Sequence, residues 1–254
     1  MSAADHRVGS GAAPGKLLEA RNLRTWFETD RGLFKAVDGI SFEVGRGRTV
    51  GLVGESGCGK SVTSLSLMGL VPSPPGKVTA DAILFEGRNL LELSQYERRM
   101  LRGGRMSMVF QEPMTSLNPV LTIGRQIEQV LRQHTDLSRA AAAERAVELL
   151  AEVGIADPRQ RAKEYAFRMS GGMRQRIVIA IALACNPKLL IADEPTTALD
   201  VTVQAQILDL LRRLQDAHSM AMVLITHNLG VVAEMCDAVA VMSAGQIVEH
   251  GSVA

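Results

Sequence analysis

The sequence predicts an α/β fold in which a mostly parallel sheet, flanked by helices, is interrupted by a helical block. In the C-terminal half, short apolar segments without a polar face alternate with helical segments, which favours parallel strands joined by helices. Near the N-terminus, apolar residues alternate with polar or small ones, as in a half-buried antiparallel strand. With 254 residues, 46% of them hydrophobic, the chain is long enough to bury a large core without disulfides.

Composition and charge disfavour several classes of protein. The 28 basic and 27 acidic residues leave a net charge of +1, which gives no long-range field to attract nucleic acid. Cys58, Cys185 and Cys236 are far apart and form no metal-binding pattern, as is typical of a reducing compartment. The longest strictly apolar run, Ile177 to Cys185, has nine residues, whereas a membrane span needs about 20. Residues 1–16 contain no apolar segment, and we predict a disordered tail on a cytoplasmic protein.

The N-terminal half is expected to contain strands first and helices later. Strand-like patterning extends from Leu17 to Val44, and Thr49–Val53 is a short apolar run that predicts a fully buried strand. A glycine-rich turn and a helix over Lys60–Leu70 follow. Between 113 and 169 the pattern is helical, with Ser138 as a candidate N-cap and Gly154 as a candidate C-cap glycine.

The C-terminal half alternates strictly between helix and strand. The predicted elements are a helix over Gly171–Cys185, a strand over Leu189–Ala192, a helix over Val203–Leu214, a strand over Met222–Ile225, a helix over Leu229–Met235 and a strand over Ala238–Met242. Because parallel strands end at one edge of a sheet, polar residues that follow these strands are expected to lie together.

A phosphate-binding loop follows the first buried strand. The residues Gly54-Glu55-Ser56-Gly57-Cys58-Gly59-Lys60-Ser61 match G-x-x-x-x-G-K-[ST] between a strand and a helix, the context that this motif requires. Its glycines let backbone N–H groups converge on phosphate oxygens at a helix N-terminus. Lys60 is expected to reach the β- and γ-phosphates and Ser61 to bind Mg²⁺. The motif predicts a nucleoside triphosphate site, but kinases, GTPases, motors and helicases share it.

Two later strands end in residues that could complete such a site. Asp193 and Glu194 follow Leu189–Ala192, so Asp193 is expected to hold Mg²⁺ and Glu194 to act as general base toward water. His227 follows the next buried strand and is expected to contact the γ-phosphate and orient the water. A single acidic pair in a solvated turn, and a histidine with only a surface or core role, are the alternatives.

Several segments resemble ATP-binding cassette (ABC) proteins. Ser170-Gly171-Gly172-Met173-Arg174-Gln175-Arg176 resembles their signature segment, and other family segments occur in the family's order: the phosphate loop, Gln111 after an apolar strand, Ala192-Asp193-Glu194-Pro195, Thr197-Ala198-Leu199-Asp200 and Thr226-His227. The resemblance covers about Leu17 to Ala254. It implies an ABC-type P-loop nucleotide-binding domain, with a RecA-like core, an N-terminal antiparallel β subdomain and a helical subdomain inserted at about 112–185.

The resemblance also implies residue roles that the residues alone do not. ATP would lie between the phosphate loop of one chain and the signature of a second, so the partner's nucleotide would be contacted by Ser170, Gly171, Gly172 and Asp200. Taken alone, Ser-Gly-Gly indicates only a flexible turn. Gln111 would contact Mg²⁺ or the attacking water. The adenine base would stack on Phe27, with Trp26 and Phe34 as alternatives and a buried core position as the other interpretation.

Two longer segments point to a subgroup. Gln111–Pro119 and Ala192–Gln206 resemble the ATPase subunits of bacterial dipeptide, oligopeptide and nickel importers, and glutathione importers share them. This implies a second ABC ATPase subunit, two transmembrane permease subunits, and indirectly an extracytoplasmic solute-binding protein, at the cytoplasmic face of the inner membrane. The flank 112–119 would meet a permease helix.

The chain differs from this subgroup at two places. Tyr165-Ala166-Phe167-Arg168-Met169 stands where Tyr-Pro-His-Glu-Phe is usual. The Pro-rich segment with which these proteins usually continue is not present after Ala254.

Two other functions remain as alternatives. One is a soluble ABC ATPase without a membrane partner; the segment Gln111–Pro119 and the lack of a coiled-coil insertion, zinc motif or second cassette disfavour it. The other is a nucleotide kinase, which has no use for the signature segment. The run Arg98, Arg99, Arg102 and Arg105 lacks the interleaved aromatic residues of a nucleic-acid site, and we interpret it as a solvated or partner-contacting face.

Overall fold

The computed structural model describes residues 15–111, 116–197 and 199–253, which form two sheets and a helical block. The strands are β1 Lys16–Thr29, β2 Gly32–Gly45, β3 Thr49–Gly54, β4 Gly76–Thr79, β5 Ala82–Phe85, β6 Arg88–Asn89, β7 Met106–Val109, β8 Leu189–Asp193, β9 Ala221–Thr226, β10 Ala238–Ser243 and β11 Gln246–Ser252. The helices are α1 Lys60–Met68, α2 Gln95–Leu101, α3 Ile123–His134, α4 Arg139–Glu152, α5 Pro158–Arg161, α6 Gly171–Leu183, α7 Val201–His218 and α8 Leu229–Met235. Short 3₁₀ turns cover Leu90–Glu92 and Ala166–Arg168.

The central sheet has the strand order β11-β10-β3-β9-β8-β7, and its neighbours are parallel except for the pair β10 and β11. In β3 and β9, Val53 lies opposite Thr226, and in β8 and β9, Asp193 lies opposite Ile225. The carboxyl ends of β3, β9 and β8 therefore meet at one edge. This edge carries the phosphate loop and the acidic and histidine residues selected from the sequence.

Alternate residues of β8 face two separate cores. Leu190 and Ala192 pack with the helical block, whereas Leu189 and Ile191 pack with the antiparallel sheet β2-β1-β5-β6 and with α1. Helices therefore pack on both faces of the central sheet, but on one face the antiparallel sheet packs there as well. That face is covered by α1 and the antiparallel sheet, because the N-terminal hairpin folds back over the strands that follow it.

The helical block begins after β7 and is held together by its caps and by one buried face. Ser138 accepts a hydrogen bond from Ala141 N and caps α4, and Gly154 ends that helix with φ +76°, both as predicted. The apolar face of α3 is buried through Ile123, Ile127 and Leu131. These contacts pack the helices of the block into one buried cluster between β7 and β8.

Some elements were not predicted and some boundaries differ. The edge strand β11, the short strands β4 to β6 and helix α2 carry patterns too short or too exposed to separate from loops. β1 already begins at Lys16, within the stretch expected to be a tail, and residues 1–14 of that stretch lie outside the described residues.

The arginine run contributes mainly to the fold. Arg98 donates to the carbonyls of Leu91 and Leu93, and Arg102 donates to the carbonyls at the end of α1. Arg105 forms an ion pair with Glu86. Three of the four guanidinium groups are thus engaged within the chain, a role that the interpretation as a solvated or partner-contacting face did not include.

Candidate functional site

The phosphate loop lies where β3 meets α1, and two of its glycines are required by close backbone contacts. A Cβ atom on Gly54 would lie 2.2 Å from the carbonyl oxygen of Met242, and one on Gly59 would lie 2.3 Å from that of Ala36. Both have positive φ angles, +154° and +106°. The loop is therefore pressed between β10 and β2 in a conformation that other residues would strain.

Lys60 is folded into the loop that it follows. Lys60 is only 5% exposed, and its Nζ donates to the carbonyls of Gly54 and Glu55, each at 2.8 Å. Helix α1 begins here with Gly59 as its N-cap and without a side-chain cap. The ammonium group and the uncapped amides at this helix N-terminus form a positive cradle that suits phosphate oxygens.

Ser61 and Asp193 meet beside the cradle, although 132 residues separate them in sequence. Ser61 Oγ donates to Asp193 Oδ1 at 3.1 Å, and Asp193 is 4% exposed. Burial raises the pKa of this carboxyl, and the hydrogen bond from Ser61 only partly opposes the effect. A buried carboxylate beside a hydroxyl is a set of hard oxygen donors, which fits Mg²⁺ completed by phosphate and water.

The carboxylate of Glu194 lies at the centre of a hydrogen-bonded cluster. Its Oε2 accepts from Gln111 Nε2 at 3.0 Å and from Thr197 Oγ1 at 2.8 Å, and its Oε1 lies 3.3 Å from His227 Nδ1. Gln111, which the family resemblance indicated, is thus brought together with Glu194 and His227, which follow buried strands. Gln111 and His227 are exposed at this edge of the sheet, with 65% of the His227 side chain accessible, whereas the Glu194 side chain between them is only 14% exposed.

The environment of Glu194 keeps its carboxylate charged. Burial raises the pKa of Glu194, but hydrogen bonds from Thr197 and His227 and the nearby charge of Lys60 outweigh it and hold the pKa below its usual range. The adjacent Asp193 has a raised pKa instead. Neighbouring acidic residues whose pKa values are shifted in opposite directions are typical of sites in which each residue has its own chemical role.

The signature residues and Asp200 are placed by their own helices. Ser170 is the N-cap of α6 and accepts from Met173 N at 3.3 Å, and Asp200 is the N-cap of α7 and accepts from Val203 N at 2.9 Å. A Cβ on Gly172 would lie 2.8 Å from Val203 Cγ1, so this glycine allows α6 and α7 to approach. Among the described residues, none of these side chains bonds to the phosphate loop.

The three aromatic candidates lie on the hairpin β1–β2, which contacts the phosphate loop through Ala36. Phe27 is half-buried and pairs across the strands with Phe34, which is 56% exposed. Trp26 has Lys35 Nζ 4.9 Å from the centre of its ring. The hairpin thus presents aromatic rings beside the loop without singling out one of them.

Thr197 is the site residue that the sequence did not reveal. Its contact with Glu194 depends on a turn in which Thr197 N donates to the carbonyl of Glu194. A threonine three residues after a candidate base is the signal that could have found it, since short hydroxyl side chains often bond back within a turn.

Comparisons with known proteins agree with this geometry. A profile described as ABC transporter matches residues 37–197. The probable peptide ABC transporter ATP-binding protein y4tR of Sinorhizobium fredii is 53% identical over 97% of this chain and 74% of its own length. The oligopeptide transport ATP-binding protein AppD of Bacillus subtilis is 55% identical over 93% of this chain and 72% of its own length.

A solved structure gives the same result for the fold. The dimeric, post-hydrolysis ATP-binding cassette MJ0796, bound to ADP and Pi, superimposes with a TM-score of 0.83 at 25% identity over 93% of this chain and 99% of its own. Within the described ranges, no helix has the length and hydropathy needed to span a membrane. With a family profile across most of its length and relatives more than half identical, the chain belongs to the ABC transporter family as an ATP-binding cassette protein.

Proposed function

We propose that this chain is the ATP-binding and ATP-hydrolysing subunit of a bacterial importer for dipeptides, oligopeptides or a related small solute. The observation that carries the chemistry is the cluster around Glu194, set beside a phosphate cradle. The names of the relatives, which specify peptide and oligopeptide transport, support the solute class and disfavour a soluble ATPase.

In this proposal the phosphate loop binds the triphosphate. Backbone N–H groups between Gly54 and Ser61 would surround the phosphates, and Lys60 would exchange its two loop carbonyls for phosphate oxygens. Ser61, Asp193 and Gln111 would hold Mg²⁺, which neutralises phosphate charge when bound. The fit rests on the contact between Ser61 and the buried Asp193.

Hydrolysis requires a base that is ionised and held in place. Glu194 would take a proton from the attacking water, since its lowered pKa keeps it deprotonated near neutral pH. His227 would donate to the γ-phosphate and help to orient the water. Gln111 would respond to the γ-phosphate because its side chain already touches Glu194.

A complete site would need two chains. The nucleotide held by a second ATPase subunit would be contacted by Ser170, Gly171, Gly172 and Asp200. This agrees with the exposure of Ser170 and Asp200, whose side-chain hydrogen bonds among the described residues are local caps. The dimeric ADP-bound relative supports this arrangement. The adenine would stack on Phe27 of the hairpin that contacts the phosphate loop.

Permease subunits would dock on the helical block. The flank 112–119 was expected to supply this contact, but 112–115 lie outside the described residues and Leu117 is buried at 3% exposure. Beside it, Val120 is 76% exposed, and the rings of Tyr165 and Phe167 stack 5.6 Å apart. We place the docking of an apolar permease helix on these three residues, at the cytoplasmic face of the inner membrane. Selection of the solute would belong to the permeases and a binding protein.

The test is transport by the chain reconstituted in vesicles with the permease and ATPase subunits encoded beside it. Labelled dipeptide and pentapeptide uptake should require ATP. The variant Glu194→Gln should retain ATP but lose about 10²–10⁴ in hydrolysis rate, because it lacks the positioned base. Glu249→Gln, on the exposed strand β11, is the matched control and should be unaffected. Normal turnover by Glu194→Gln would refute the proposed chemistry.

A further inference from the structure

The hydroxyl of Thr197 makes one contact that the roles above leave unused. Its Oγ1 donates to Glu194 Oε2 at 2.8 Å, which is shorter than the 3.0 Å and 3.3 Å contacts that Gln111 and His227 make with the same carboxylate. A short hydrogen bond to an ionised group is stronger than one between neutral groups. Thr197 therefore helps to restrain the carboxylate, and it does so from the same turn as Glu194 itself, since Thr197 N donates to the Glu194 carbonyl.

The backbone makes this restraint rigid. Glu194 has φ +47°, in the left-handed region, and its carbonyl accepts from Thr197 N at 3.1 Å. A second hydrogen bond, from Glu194 N to the carbonyl of Ile225 at 2.9 Å, ties the same residue to the end of β9. Glu194 and Thr197 thus belong to one closed turn fixed to the sheet. The branched Thr197 side chain has little freedom of its own within it.

The two carboxylate oxygens have different surroundings. Oε2 accepts from both Thr197 and Gln111, whereas among the residues that the structure describes Oε1 has one contact, at 3.3 Å, with the exposed His227. Oε1 is therefore the oxygen available to a water molecule. Holding Oε2 fixes the rotation of the carboxylate and so fixes the direction in which Oε1 points.

We propose that Thr197 is a positioning residue that orients the Glu194 carboxylate toward the attacking water. This inference rests on the proposed function, in which Glu194 is the general base. Among the described residues, the Thr197 side chain makes no hydrogen bond to the phosphate loop or to the side chains that would hold Mg²⁺, and its one hydrogen bond is to Glu194. Its loss should therefore change the chemical step and leave nucleotide binding intact.

Three substitutions separate the hydroxyl from the shape of the side chain. Thr197→Val keeps the branched shape and removes the donor, whereas Thr197→Ser keeps the donor. Thr196→Val is the control: it replaces threonine with valine at the preceding position, where the hydroxyl has no hydrogen-bond partner among the described residues. Thermal unfolding of each variant reports whether the turn remains folded.

The measurement is single-turnover ATP hydrolysis by the transporter reconstituted as above, in excess over labelled ATP, with ATP affinity measured on the same preparation. Thr197→Val should lower the hydrolysis rate about ten- to a hundredfold, as expected for losing a hydrogen bond to a charged group. Its ATP affinity should stay within about twofold. Thr197→Ser and Thr196→Val should stay close to the unmodified rate.

A double variant distinguishes positioning from a general structural effect. If Thr197 acts through Glu194, then Thr197→Val should cause little further loss in a chain that already carries Glu194→Gln. An equal loss in both backgrounds, or a normal rate in Thr197→Val, would overturn the positioning role. A normal rate in Glu194→Gln alone would instead overturn the proposed base, so the two failures are distinguishable.

Discussion

The phosphate-loop region and the signature region are built in opposite ways. In the first, Ser61 bonds to Asp193 and Glu194 bonds to Gln111, although 132 and 83 residues separate these pairs in sequence. In the second, the one hydrogen bond of the Ser170 side chain among the described residues is to the first turn of its own helix, and the same is true of Asp200 at α7. One region is organised by the fold of a single chain, whereas the other presents exposed groups that the chain itself does not use.

This difference indicates where each region finds its partners. Long-range hydrogen bonds fix side chains before any ligand arrives, which suits groups that must hold phosphate and water in place. An exposed helix N-terminus with a capping serine suits an anion brought from outside. The contrast supports a site shared between two chains, which substitutions in either region can test.

The strongest test is complementation between two defective chains. Lys60→Met removes the charge from the phosphate loop, and Ser170→Asp places a negative charge at the signature while remaining a good N-cap. Each alone should lose about 10²–10³ in ATPase rate, as when a charge-stabilising donor is removed. Mixed in equal amounts, they should regain about a quarter of the unmodified rate, because half of the dimers carry one intact site out of two.

The outcome also identifies the second subunit. If ATPase activity recovers when the two variants are mixed, then two copies of this chain share their nucleotide sites. If mixing restores nothing while each variant still inactivates the assembled transporter, the partner is a different ATPase subunit. Full activity of Ser170→Asp on its own would contradict a shared site altogether.

The sequence predicted the phosphate-loop region well because strand ends place its residues. Asp193, Glu194 and His227 follow buried strands, and parallel strands bring such positions to one edge. The partners of Glu194 were harder to predict as a set, since Gln111 is 83 residues away and the contact depends on how β7 pairs with β8. The local sequence pattern predicts each strand, but it does not give the distances between side chains at the ends of different strands.

The parts that the sequence did not predict share a physical cause. An N-terminal antiparallel subdomain was expected, but its packing over one face of the central sheet was not, because it depends on long-range pairing of β1 with β4 and β5. The exposed side chains of β11 carry no burial pattern to reveal it. The arginine run was ambiguous because the carbonyls that Arg98 and Arg102 contact are defined only in the folded chain.

Two neighbouring glycines of the signature, Gly171 and Gly172, are expected to respond differently to substitution by alanine. Gly172→Ala would place its Cβ 2.8 Å from Val203 Cγ1, on a branched side chain that cannot easily move. We expect a loss of about 1–3 kcal/mol in the free energy of unfolding, as for other overpacked sites. Gly171→Ala is the matched control, since its Cβ would lie 3.7 Å from Leu199 Cδ2, an ordinary contact.

Chemical denaturation of both glycine variants is the measurement. If Gly171→Ala keeps its stability but loses ATPase activity, then the backbone at that position acts on the partner's nucleotide. Equal stability of the two variants would show that Gly172 is not needed for the approach of α6 to α7.

The smallest expected effect concerns Asp200, which caps α7 and is also assigned to the shared site. Asp200→Ala removes the acceptor for Val203 N and should cost about 1 kcal/mol of stability, as for other N-caps. Asp200→Asn keeps an equally good cap, because asparagine is among the preferred N-cap residues, and so should unfold like the unmodified chain. Measuring unfolding and ATPase rate on both variants separates the two roles. If Asp200 acts only as a cap, the ATPase rate falls only where stability falls, and Asp200→Asn hydrolyses ATP at the unmodified rate. If it also acts across the dimer, the asparagine variant remains stable but hydrolyses ATP more slowly, and that loss appears only under conditions in which dimers form.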